Sequence, residues 1–266
     1  MSEIIIYWGV DTSYTTEGLR VEPPVPILNK LFKDRIPSGP IAAEVNYNKC
    51  PALHNELINV YGMKSIYDYN FEINPESGRM QWGGPQEIAQ SYDEEFFNTH
   101  LNVRSLKGNL FSFTETLVFF TETPSLMLSL LPAFMEDNNI VKNTICIPGQ
   151  FDIGKYFRFL EYAWHFRKGH NRIEFSREDI YYYIKFHTKE KIKFQRFMFT
   201  PELHTLSETM KNAKFRKKSD TLSKLKSNAL EYYYNIFDKY NFKNKMLKII
   251  KENLCKKEDL EGRVVK

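Results

Sequence analysis

The sequence predicts an α+β protein: a mainly antiparallel β-sandwich or barrel core with a C-terminal helical region. Three observations carry this. Short runs of β-branched and aromatic residues recur at close spacing, broken by Gly and Pro, as in a sandwich or barrel and unlike βαβ units. Phe and Tyr, 21 and 16 of 266 residues, bring the aromatic share to 15%, and large aromatics pack well on a pleated surface. An AT-rich genome, which raises Phe, Tyr, Asn, Ile and Lys together, is a second explanation of that composition. Beyond Pro201 the β pattern stops, and apolar residues recur at helical spacing.

The elements follow in order. Ile4 to Val10 reads as a first strand, and the prolines of Val21 to Pro26 hold that stretch extended. Ile27 to Phe32 forms a short helix that ends at the Pro and Gly residues of Ile36 to Pro40, and a second helix begins around Cys50-Pro51. Lys64 to Ile73 alternates, with Tyr67, Tyr69, Phe71 and Ile73 on one face, and predicts a strand. Trp82-Gly83-Gly84-Pro85 reads as a loop, and Glu87 to Phe97 as a polar helical turn. The β signal then strengthens through Leu110 to Phe120, Ser125 to Leu131 and Asn143 to Ile147. Phe157 to Arg167, Arg172 to Phe175, Ile180 to Thr188 and Lys191 to Phe199 close the set. Phe157 to Phe166 also admits a helix. The core is expected over about Leu110 to Phe199. Glu202 to Lys226 is polar and lysine-rich, Thr221 to Tyr240 carries an amphipathic helical pattern, and a last helix covers Lys245 to Leu254. The domain reading is a β-rich core with an N-terminal extension over 1–200 and a basic helical region packed on it over 201–266.

Composition narrows the function classes. Cys50, Cys146 and Cys255 are far apart and show no CxxC or Cys/His spacing, so neither a zinc site nor a disulfide framework is signalled. Cys50 reads as a small buried thiol. No basic n-region precedes the apolar start, and no stretch approaches the ~20 apolar residues that span a bilayer. The expectation is a soluble chain with no membrane association and no secretion signal. The net charge of +4 is uneven: after His187, Lys and Arg are twice as numerous as Asp and Glu. Lys211, Lys214, Arg216, Lys217 and Lys218 are the candidate nucleic-acid contacts in this tail, against the plainer reading of a solvated helix face.

No Gly-x-Ser-x-Gly elbow, phosphate-binding loop or dinucleotide fingerprint is present. His165, His170 and Glu174 are similar in kind to the His-x-His…Glu ligands of cupin metal sites. Their five-residue spacing, however, sends the two rings to opposite faces of a strand, and no metal site is expected. One segment joins turn chemistry to a carboxylate. Pro148, Gly149 and Gly154 allow a tight reversal that presents Asp152 at its crest. A carboxylate held there orients water as a general base, or bonds its own backbone as Asx residues in turns do.

Over most of its length the chain resembles a group of uncharacterised proteins encoded by marine tailed phages. The resemblance rests on Pro23 to Phe32, Lys49-Cys50-Pro51, the strand near Tyr67-Asp68-Tyr69, the Trp82 loop and the turn Pro148 to Asp152. It implies a viral origin, with the host cytoplasm or a virion as location. Gly149 to Tyr156 also looks like the Gly-x-x-Asp-x-x-Tyr hairpin of the dUTPase fold, in which the Asp orients the attacking water and the Tyr lies by the sugar. That likeness makes Asp152 and Tyr156 the candidate catalytic pair. Tyr156 comes one residue late for that pattern, and Thr123 to Met127 lacks the family's Arg-Ser-Gly phosphate loop. Lysine-rich helices replace its glycine-rich arm.

Three functions follow. The first is a non-enzymatic viral protein, a virion structural component or binding module whose partners are other viral proteins or further copies of itself. The second is a dUTPase-like nucleotide hydrolase with Asp152 as general base, which alone requires a cofactor, Mg²⁺. The third is nucleic-acid binding through the lysine-rich tail.

Overall fold

The computed structural model describes residues 3–11, 21–29, 50–65, 68–74, 76–77, 79–83, 101–104, 109–113, 117–216 and 229–256. Among these residues the strands form four sheets, and every pairing except one is antiparallel. The exception joins β1 (Glu3–Val10) in parallel to β15 (Lys191–Arg196), while β8 (Leu117–Phe120) lies antiparallel along the other side of β1. Neither β1 nor β8 alternates between apolar and polar residues, because both of their faces are covered. Ile4, Ile6, Trp8, Leu117 and Phe119 point into the main core, whereas Tyr7, Val118 and Phe120 point into a second cluster shared with the C-terminal helices. Gly9 lies on the helix side of β1. A Cβ there would come within 2.7 Å of the Phe197 ring, so only glycine lets that ring close against the strand.

The largest sheet has the order β11 (Gly149–Asp152), β9 (Met127–Pro132), β14 (Ile180–Phe186), β3 (Val60–Lys64) and β2 (Val25–Pro26). A four-stranded sheet orders β10 (Thr144–Ile147), β12 (Ala163–Phe166), β7 (Leu110–Phe113) and β6 (Leu101–Val103). The remaining sheet orders β13 (Arg172–Phe175), β4 (Tyr69–Ile73) and β5 (Met80–Trp82). Their inner faces meet in an aromatic core. Phe113 packs edge-on against Phe71, Phe175, Trp164 and Tyr181, and Trp164 stacks on Tyr181. Each such pair adds about 0.5–1.5 kcal/mol beyond its buried area. The aromatic composition is therefore placed where it stabilises the fold.

Among the described residues, two short helices, α1 (Pro51–Glu56) and α2 (Asn139–Asn143), sit between strands, and residues 27–29 are helical as expected. Three longer ones, α3 (Pro201–Arg216), α4 (Ala229–Lys239) and α5 (Phe242–Glu252), lie over the β1 sheet. Leu203, Leu206 and Met210 supply the buried stripe of α3, and Tyr233 and Phe237 that of α4. Met246, Leu247, Ile249 and Ile250 supply that of α5. Asn241 takes a left-handed conformation (φ 50°), one that Asn tolerates well, and breaks α4 from α5. The backbone after α5 runs back along β15, with Met198 N–H donating to Asn253 O and Cys255 N–H to Arg196 O, each at 2.9 Å. Among the described residues no helix is long and apolar enough to cross a membrane.

Several expectations need correction. The core is not confined to Leu110–Phe199, since β1, β3 and β4 contribute Ile6, Trp8, Met63, Phe71 and Ile73 to it. Lys64 to Ile73 is not one strand: β3 ends at Lys64 and β4 starts at Tyr69, in a different sheet, after Ser65 N–H has bonded Asp179 O. Leu110 to Phe120 likewise splits between two sheets. Phe157 to Tyr162 is neither strand nor helix. It crosses between the two clusters, with Phe157 and Phe159 on the helix side and Leu160 and Tyr162 in the main core, and burial on both sides gives it a strand-like composition. Trp82 belongs to β5 and not to a loop. Cys50 is exposed, and Cys146 is the buried thiol, pushed up to about 12 by desolvation. The helical expectations for Glu87 to Phe97, 30–32 and 221–228 lie outside the described residues.

Candidate functional site

Asp152 ends β11, where the chain reverses through Ile153 and Gly154. Its Oδ1 accepts the Gly154 N–H at 2.8 Å and its carbonyl accepts the Lys155 N–H at 3.1 Å, so the side chain closes the turn on its own backbone. Glycine suits the position, because a Cβ on residue 154 would lie 3.0 Å from Thr123 O. The Asp152 N–H donates to the Tyr234 hydroxyl of α4 at 2.6 Å. Asp152 is only 6% exposed. Desolvation raises its pKa, against the lowering effects of the Gly154 N–H, Lys155 and Lys243. Lys155 is itself paired with Asp238 at 2.5 Å.

Tyr156 packs against the residue of α4 that precedes the Asp152 partner Tyr234. Its ring stacks on Phe151 at 4.1 Å and leans on Tyr233 at 5.3 Å, and burial pushes its hydroxyl up to about 12. The turn and the aromatic pair are thus both packed beneath α4.

Among the described residues, four tail lysines bond within the molecule. Lys211 pairs with Glu208 at 3.2 Å, one turn away on α3. Lys214 and Arg216 lie in the last turns of α3, while Lys217 and Lys218 lie outside the described residues. On α5, Lys243 donates to Glu122 O at 2.9 Å, Lys245 pairs with Glu202 and Lys251 pairs with Glu122. These contacts fasten α5 to its neighbours. Of the histidine set, the His165 ring meets Asn109 at 3.1 Å, whereas His170 and Glu174 are exposed and Glu174 faces Arg172. Among the described residues no group of three or more His, Cys, Asp or Glu side chains gathers in a metal-binding arrangement.

A polar cluster that sequence reasoning missed lies on the same large sheet. Ser129 of β9 faces away from the core between Leu128 and Leu130, with Gln150 opposite it on β11 and Lys185 opposite it on β14. Its Oγ is 2.7 Å from His187 Nε2 and accepts from Gln150 Nε2 at 3.1 Å, and Gln150 Nε2 is also 3.1 Å from His187 Nε2. His187 follows β14 directly and is fixed by its own N–H, which donates to Met127 O of the serine's strand at 2.9 Å. Asn59 holds the next turn by donating from Nδ2 to Thr188 O and Glu190 O. Desolvation, followed by the charge of Lys185, lowers the His187 pKa below its ordinary 6.5 and so favours the neutral ring. The one sequence signal was a lone hydroxyl in the apolar run Met127-Leu-Ser-Leu-Leu131.

Comparison of the chain with protein-family models, with curated proteins and with solved structures finds no match.

Proposed function

We propose that this chain acts as a structural or binding module and, on its resemblance to marine-phage proteins, in a viral particle or the infected cytoplasm beside other viral proteins or copies of itself. The observation that supports the module reading is the use made of Asp152. Its carboxylate is the general base that nucleotide hydrolysis would require, and it accepts the Gly154 N–H inside a turn that α4 covers. A general base must reach the proton it abstracts, directly or through one water. A carboxylate engaged in its own turn and 6% exposed is built for holding the chain.

Two measurements test this. Mass spectrometry of purified particles of the encoding virus is expected to detect the chain, and repeated absence removes the virion role. Incubation of the purified protein with a nucleotide panel and Mg²⁺ is expected to give no turnover. Turnover that disappears in Asp152→Ala, in a protein that still folds, would replace the module reading with the hydrolase.

A further inference from the structure

Away from the Asp152 turn, the large sheet carries the elements of a nucleophilic serine. We propose that Ser129 accepts acyl groups from small carboxylic esters, with His187 as its general base. A serine hydroxyl is a weak nucleophile until an adjacent base takes its proton, and the diagnostic is a base within about 2.6–3.2 Å. The 2.7 Å contact between Ser129 Oγ and His187 Nε2 meets that condition. The Gln150 amide N–H donates to Oγ, and in the tautomer that carries its proton on Nδ1 the imidazole presents the Nε2 lone pair to which the serine hydroxyl donates.

The placement is rigid. Ser129 sits mid-strand, and His187 is registered to it by the β9–β14 ladder, in which Leu128 faces Phe186, and by the His187 N–H bond to Met127 O. Access comes from the outer face. Gln150 and His187 are exposed, while Ser129 is recessed at 8%. A recessed hydroxyl between two exposed side chains admits a small, unbranched acyl group and leaves the alcohol portion in solvent.

The step balances within these residues. Ser129 Oγ attacks the ester carbonyl while its proton passes to His187 Nε2, and the Gln150 amide, which donates to Oγ in the resting protein, is a side-chain donor beside the oxyanion. The C–O bond to the alcohol breaks, and His187 returns the proton to the departing alkoxide. Water then attacks the acyl-serine by the same route, which releases the carboxylic acid and restores Oγ–H. Among the described residues no carboxylate bonds the His187 ring, so the pair acts as a dyad.

The full chain treated with p-nitrophenyl acetate at neutral pH, followed by peptide mass spectrometry, decides the matter. Acetyl-Ser129 is expected, with nitrophenolate release that vanishes in Ser129→Ala. In His187→Gln, whose fold is checked by circular dichroism, acetylation is expected to slow by the roughly 10²–10⁴-fold that a general base contributes. The unmodified protein supplies an independent reading, since acetylation is expected to rise with pH through a single midpoint below 6.5. No acetyl-Ser129 in folded protein, an unchanged rate in His187→Gln, or a flat pH profile overturns the proposal. The module reading survives any of these, and absence from particles leaves this one standing.

Discussion

Gln150 and Asp152 stand two residues apart on β11, yet their surroundings oppose each other. Asp152 lies under α4, with the Tyr234 hydroxyl on its amide and the Gly154 N–H on its carboxylate. Gln150 lies where the same sheet is open, against Ser129 and His187. A polar group under a packed helix must satisfy its bonds locally or cost roughly 1–3 kcal/mol. One on an open face keeps its bonds exchangeable with a ligand. The helical layer thus covers one end of β11 and leaves the other exposed.

Removing the cover should break that division. Phe237 of α4 is fully buried against Phe120 of β8, so Phe237→Ala should lower the unfolding free energy in urea by about 3–5 kcal/mol. Amide exchange at Asp152 should quicken in this variant while Ser129 chemistry persists; equal loss at both would show that α4 does not separate them. Tyr234→Phe removes one acceptor and leaves the Asp152 N–H unsatisfied, for an expected loss of about 1–3 kcal/mol by the same measurement.

Two pH effects, smaller still, sharpen the contrast through their opposite signs. Burial raises the Asp152 pKa above its ordinary 3.8, so in that window the native chain holds a proton the unfolded chain has lost. The stability contributed by the protonated form is present at low pH and falls as pH rises through the window. Asp152→Asn still offers Gly154 an acceptor and carries no charge, so this falling segment should disappear from stability–pH curves. His187 behaves in reverse. Its folded pKa lies below 6.5, so the unfolded chain takes up the proton first, and stability present above 6.5 is lost as pH falls through the folded value. His187→Gln should flatten that segment and leave the Asp152 segment unchanged.

Local signals were readable from the sequence, while long-range ones were not. β1, β13 and β14 follow the β-branched and aromatic runs closely, because composition and burial agree there. The reversal at Asp152 was legible from Pro148, Gly149 and Gly154, as was the option that its side chain bonds its own backbone. Its cover was not, since Tyr234 lies far along the chain and nothing near Asp152 encodes it. Phe157 to Tyr162 misled because burial on both sides gives an irregular crossing segment the apolar, aromatic composition of a buried strand. The Ser129–His187 pair has no sequence spacing to recognise, because the register of β9 on β14 creates it.

The parallel pairing of β1 with β15 also sets a schedule for synthesis. Glu3 is registered to Lys191, so β1 leaves the ribosome long before its parallel neighbour exists. At about 5–20 residues per second, the wait is roughly ten to forty seconds. Throughout that time Ile4-Ile-Ile-Tyr-Trp8 is an uncharged, strand-forming segment with no proline, the kind most prone to pair with another chain. β8 is made earlier and pairs with Tyr7 to Val10, so the edge left open until Lys191 to Arg196 completes the sheet is the parallel one.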